Sequence, residues 1–144
     1  SCSTENKPVW GTWPECPLIG EWELESWTNN TDNATQFGEG EKKCDEYPTN
    51  ALKINGGKDD YGTYRMTNYT CFKDGSTMRT EIEDGIWTYN GTENQVKVGT
   101  NQQDLRVFNL SYTSDFNYFT VKFTDYYEDG SSSRDITEVY KRKQ

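Results

Sequence analysis

The sequence contains no histidine. That removes the commonest general base, the Ser–His and Cys–His nucleophile pairs and haem ligation through a proximal histidine. The four cysteines, Cys2, Cys16, Cys44 and Cys71, show no CxxC or zinc-ribbon spacing, so no metal site is expected. No Gly-rich phosphate loop is present. No run approaches the roughly 20 apolar residues that span a bilayer, so membrane insertion is not expected. Basic charge is also short. Against 24 Asp and Glu there are 15 Lys and Arg, a net charge of −9. The one basic run, Lys141-Arg142-Lys143, is too small to neutralise a phosphate backbone, which excludes nucleic acid as a partner.

What is present is aromatic. Only 31% of the 144 residues are hydrophobic, which leans towards disorder, but 15% are aromatic, which disordered chains are not. Ten Tyr, six Phe and five Trp can build a single-domain core, at about 150–250 Å² buried per ring. The acidity itself reads first as solubility. It also leaves room for a cationic small molecule.

An even cysteine count in a small polar domain suggests two disulfides and an oxidising, secreted location. Residues 44–54 and 61–71 form two arms around Asn55-Gly56-Gly57-Lys58-Asp59-Asp60. Folding them about a turn centred between Gly57 and Lys58 sets Cys44 opposite Cys71, within disulfide reach. Cys2–Cys16 then pins an N-terminal arm, residues 1–17, to a barrel domain over 18–144. A rival reading makes Cys2 the lipid-bearing first cysteine of a lipoprotein, which leaves Cys16 without a partner.

No helical period occurs. Short β-branched and aromatic runs predict strands at 18–28, 45–54, 61–71, 77–83, 85–90, 94–99, 103–112, 116–127 and 133–142, with turns that include Asp84-Gly85, Asn90-Gly91 and Glu128-Asp129-Gly130. Sequential hairpins of this kind form an up-and-down meander, which loses its edges by closing into an eight- or nine-stranded barrel. Pairing 103–112 with 116–127 sets Phe108 opposite Val121, Leu110 opposite Phe119 and Arg106 opposite Phe123. That face is the apolar one and points inward, with Asn109 outward.

Gly20-Glu21-Trp22 opens the first strand after a short arm. With Cys44-Asp45-Glu46, the hairpin ending at Cys71, Gly85-Ile86-Trp87 and the terminal Glu138-Val139-Tyr140-Lys141, it resembles the lipocalins, and in particular the small bacterial lipocalin-like proteins, over most of residues 18–142. Thr124-Asp125-Tyr126 is similar to the family's second motif. The resemblance implies an all-β, antiparallel lipocalin-like barrel. It further implies that Trp22 seals the floor under a basic residue of the last strand, Lys141 or Arg142. Classical lipocalins carry a helix after the barrel, for which the chain offers no counterpart before Gln144.

Sequons occur at Asn29, Asn33, Asn68, Asn90 and Asn109, where chance from the composition gives about two. They suggest a glycoprotein if the source glycosylates. Carboxylate pairs such as Glu81 with Glu83 and Asp59 with Asp60 read as solvated strand and turn residues rather than as a two-carboxylate enzyme. The expectation is therefore a non-enzymatic secreted protein without a cofactor. It binds a small, partly apolar ligand, with a cationic one admitted by the acidity, through Tyr64, Trp87, Phe108, Leu110, Phe119, Val121 and Phe123. The alternative is a filled barrel that acts through its surface as an extracellular recognition or structural module. Oligomeric state is left open.

Overall fold

The computed structural model describes residues 16–56 and 60–144. The described strands are β1 (Gly20–Asn29), β2 (Glu41–Lys42), β3 (Asn50–Gly56), β4 (Tyr61–Phe72), β5 (Arg79–Asn90), β6 (Gln95–Gly99), β7 (Arg106–Tyr112), β8 (Tyr118–Tyr126) and β9 (Ser133–Arg142). Around the sheet the order is β4, β3, β1, β9, β8, β7, β6, β5, and β5 pairs back onto β4. Eight antiparallel strands thus close into a barrel, and the short β2 adds to β4 beyond the end of β3. From β3 to β9 each strand pairs with the next in sequence, and β9 returns to β1.

Alternation of side chains fixes the inside. On β8, Phe119 and Val121 are buried while Lys122 is exposed; on β7, Leu110 is buried between exposed Asn109 and Ser111. The β7–β8 partners are Leu110 with Val121 and Tyr112 with Phe119, slipped two residues from the expected pairs. The cause is the connection, which is longer than the expected turn. Thr113 and Tyr118 close a loop by the Thr113 N–H to Tyr118 carbonyl bond of 3.0 Å, with Phe116 at φ 59° and Asp115 accepting from Thr113 Oγ1 and the Asn117 N–H. A two-residue slip preserves the pleat, so the same side chains face in.

The Cys44–Cys71 bond is present, with the Cα atoms 5.0 Å apart, but the hairpin register is not what brings the two together. Ile54 lies opposite Tyr64, where the expected turn centre would set it opposite Tyr61. The strand also begins at Asn50 rather than at residue 45. Cys44 instead follows β2, whose Lys42 pairs with Cys71 itself. Cys2 lies outside the described residues, and with it both the Cys2–Cys16 pairing and the lipid alternative.

Asp84-Gly85 does not turn. β5 runs straight through it, with Asp84 opposite Arg65 and Gly85 opposite Tyr64. A Cβ on Gly85 would come within 2.5 Å of both the Tyr64 ring and the Gly99 carbonyl oxygen. The glycine is there for close approach, the second common meaning of glycine in a strand. Arg65 and Asp84 pair on the exposed face at 2.7 Å.

Candidate functional site: the barrel interior

The floor is built on Trp22, which is 1% exposed. Its Nε1 donates to the Leu18 carbonyl at 2.9 Å, its ring meets Phe119 edge-on at 4.6 Å, and Phe119 stacks on Tyr140. The Arg142 guanidinium lies 4.1 Å from the Trp22 ring centroid. It donates to the carbonyls of Pro17, Ile19 and Phe116, so one side chain ties the segment leading into β1 to the β7–β8 loop. Gly20 makes room for it: its φ is +137°, and a Cβ there would lie 2.7 Å from Arg142 Nη1. Lys141, the other basic candidate, points outward and lies 6.0 Å from the Tyr118 ring centroid. Alternation along β9 decides between them, because Ile136, Glu138, Tyr140 and Arg142 share the inner face.

Above the floor is a cavity of about 400 Å³. Tyr64, Trp87, Phe108, Leu110, Phe119, Val121 and Phe123 all line it. Trp87 is 1% exposed, with Nε1 donating to the carbonyls of Asn55 and Thr63. Leu52, Ile54, Met66, Val96 and Val98 complete the apolar wall. The sequence carried a signal for these five in the same period of two, since Leu52 with Ile54, Tyr64 with Met66 and Val96 with Val98 are alternating apolar pairs on the expected strands.

Sequence reasoning placed Arg106 on the inward face but missed the rest of the polar lining: Asn50, Glu83, Thr100, Asp104 and Glu138. Arg106 lies over the Phe108 and Phe123 rings at 5.3 and 5.5 Å. The Tyr64 hydroxyl donates to Glu83 at 2.6 Å, and burial together with that carboxylate pushes the phenol far above its ordinary range. Glu138 lies deeper. Leu110, Val121 and Glu138 are successive partners across β7, β8 and β9, so a carboxyl stands where an apolar wall residue is expected. Burial pushes it up to about 7, partly opposed by the Tyr140 hydroxyl and Arg106 and aided by Asp125. Among the described residues no cation lies within ion-pair distance of it.

The sequons divide. Asn33, Asn90 and Asn109 are exposed. Asn29 holds a turn, donating to Asp32 and the Ala34 carbonyl. Asn68 is turned towards Asn50, its Nδ2 donating to the Thr49 carbonyl at 3.2 Å and to Asn50 Oδ1 at 2.9 Å.

No family model matches the chain, and no curated protein does. Solved structures do. Japanin from Rhipicephalus appendiculatus, a lipocalin solved bound to cholesterol, superposes with a TM-score of 0.56 at 12% identity, covering 90% of this chain and 79% of japanin. Lobster apocrustacyanin A1 gives a TM-score of 0.48 at 16% identity, over 88% of this chain and 61% of its own. The closed eight-stranded antiparallel barrel, its first-strand tryptophan under a last-strand arginine, and the japanin superposition together establish that the chain has a lipocalin-like fold.

Proposed function

We propose that the protein is an extracellular binding protein, not an enzyme, and that its barrel holds one small, partly apolar ligand, preferentially one that carries a positive charge. The observation that carries this reading is the cavity of about 400 Å³ behind a sealed floor. That volume lies in the range of about 300–1,000 Å³ typical of small-molecule sites. A barrel filled by its own side chains, acting only through its surface, has no such space, so the volume favours binding over the alternative. The cholesterol held by japanin supports an apolar ligand body.

Preference for a cation follows from charge. Among the described residues Glu83, Asp104 and Glu138 line the cavity against one cation, Arg106, and aromatic faces on the wall attract cations as well. The disulfide supports an oxidising compartment.

Trp87 lies in the cavity wall, so its fluorescence reports occupancy. Titration with a panel of small apolar amines, alcohols and acids is expected to give saturable one-to-one changes. The absence of any saturable change across the panel would defeat the reading.

A further inference from the structure

We infer that Glu138, charged through a relay of Tyr140, Asn50 and Asn68, is the ionic anchor for a protonated amine, and that protonating Glu138 releases it. This rests on the small-ligand reading and names the residue and the control that the reading lacks.

The relay runs one way. Asn68 Nδ2 donates to Asn50 Oδ1 at 2.9 Å, Asn50 Nδ2 donates to the Tyr140 hydroxyl at 3.2 Å, and that hydroxyl donates to Glu138 Oε1 at 3.1 Å. Thr70, 4% exposed, donates from Oγ1 to Asn68 Oδ1 at 3.2 Å and so extends it. Every donor points towards the carboxylate, and a chain polarised in one direction favours charge at its end. Such a relay is wasted on a neutral acid. Three buried polar side chains, Asn50, Thr70 and Tyr140, are committed to it.

Among the described residues no cation forms an ion pair with Glu138, and Arg106 offsets its charge only in part. The ionisable groups around Glu138 are Tyr140 and Arg134 on its own strand, Asp125 on β8, Arg106 on β7, Asp104 before β7, Tyr64 on β4 and Glu83 on β5. Arg134 is engaged with Asp125 at 3.2 Å and lies over Trp27 and Tyr127. Arg106 is spread over two aromatic rings at the mouth. Glu83 is taken by Tyr64. Glu138 lines the cavity with its Oε1 held by Tyr140. An ammonium group would supply the missing cation, with its apolar body against Leu110, Val121 and Met66.

The carboxyl titrates close to neutrality, so the anchor switches within the physiological range. An amine of pKa near 10 stays charged throughout. Its affinity is therefore expected to fall as the pH drops below 7, by at most the factor that the ionised carboxylate contributes to amine binding.

Calorimetric titration with 2-phenylethylamine, its neutral isostere 2-phenylethanol and the anion 3-phenylpropionate, at pH 8 and pH 5, tests this. At pH 8 the amine is expected to bind at least tenfold more tightly than the alcohol. At pH 5, and in Glu138→Gln at pH 8, that preference is expected to vanish while alcohol binding is unchanged. Should Glu138→Gln not fold, the wild-type pH profile decides alone. Equal binding of amine and alcohol at pH 8 would overturn the anchor and leave the apolar cavity standing. So would tighter binding of the anion, or a preference that survives in Glu138→Gln and is lost in Glu83→Gln. Failure of all three probes to bind would remove both the anchor and the cavity reading.

Discussion

Raising the pH from 5 to 8 is expected to weaken the empty barrel, and Glu138 is the reason. Its carboxyl ionises at about 7 in the fold against 4.5 for a free glutamate, chiefly because of burial at the depth of the apolar wall. The folded state therefore binds this proton more tightly than the unfolded chain does. The resulting stabilisation is complete below pH 4.5 and is lost as the pH rises through about 7. At about 1.4 kcal/mol per unit, the shift corresponds to about 3 kcal/mol, a sizeable share of the 5–15 kcal/mol typical of a domain. Asp32, Asp84, Asp115 and Asp129, held low by their hydrogen bonds, act in the opposite sense. Their stabilisation is present above the ordinary value of 3.8 and is lost only as the pH falls through their lowered values, outside this window. Urea unfolding followed by tryptophan fluorescence at pH 5, 6, 7 and 8 measures the effect. With a urea slope of about 1–3 kcal/mol per molar, the midpoint is expected to fall by roughly 1–3 M across the series. In Glu138→Gln, which mimics the neutral acid, it is expected to stay level. A flat wild-type midpoint, or an equal fall in the variant, would refute the assignment of a buried, proton-holding carboxyl.

Gly20→Ala is expected to destabilise by about 1–3 kcal/mol, because the new Cβ meets Arg142 and the positive φ disfavours any side chain; its urea midpoint checks this. Cys44→Ser with Cys71→Ser opens a 27-residue separation and is expected to cost about 3.5 kcal/mol by the chain-entropy model, read from the same unfolding curves. In a glycosylating host, peptide mapping is expected to find glycan at Asn33, Asn90 and Asn109 and none at Asn68, whose amide is committed inside; a glycan on Asn68 would contradict its inward placement.

The barrel was legible in the sequence because its faces repeat every two residues, a signal that survives errors of connection. The β7–β8 pairing was displaced by two residues, yet Phe108, Leu110, Phe119, Val121 and Phe123 all line the cavity. Connections were less legible. The turn before β4 was centred too early, and Cys44 reaches Cys71 through the two-residue strand β2, which is too short to show any period. Asp84-Gly85 carried the residues of a hairpin turn, but the space its glycine gives to the Tyr64 ring is a tertiary requirement that no local pattern encodes. Most of the polar lining of the cavity was hidden for a related reason. Glu138 occupies an inward position between Ile136 and Tyr140, and a carboxylate in a strand ordinarily reads as solvent-facing. Only the closed barrel places it opposite Val121. The choice of Arg142 over Lys141 on the Trp22 ring was within reach of the sequence, since parity along β9 separates them.

Binding requires that the barrel be hollow and its apolar wall accessible to a small ligand. Crystals of the protein pressurised with xenon test it most directly, because xenon enters dry apolar cavities and leaves strong density. A xenon atom is expected inside the barrel against Val96, Leu110 and Val121, above the Trp22–Phe119 floor. An interior closed by repacked side chains, with no xenon between the strands, would contradict it.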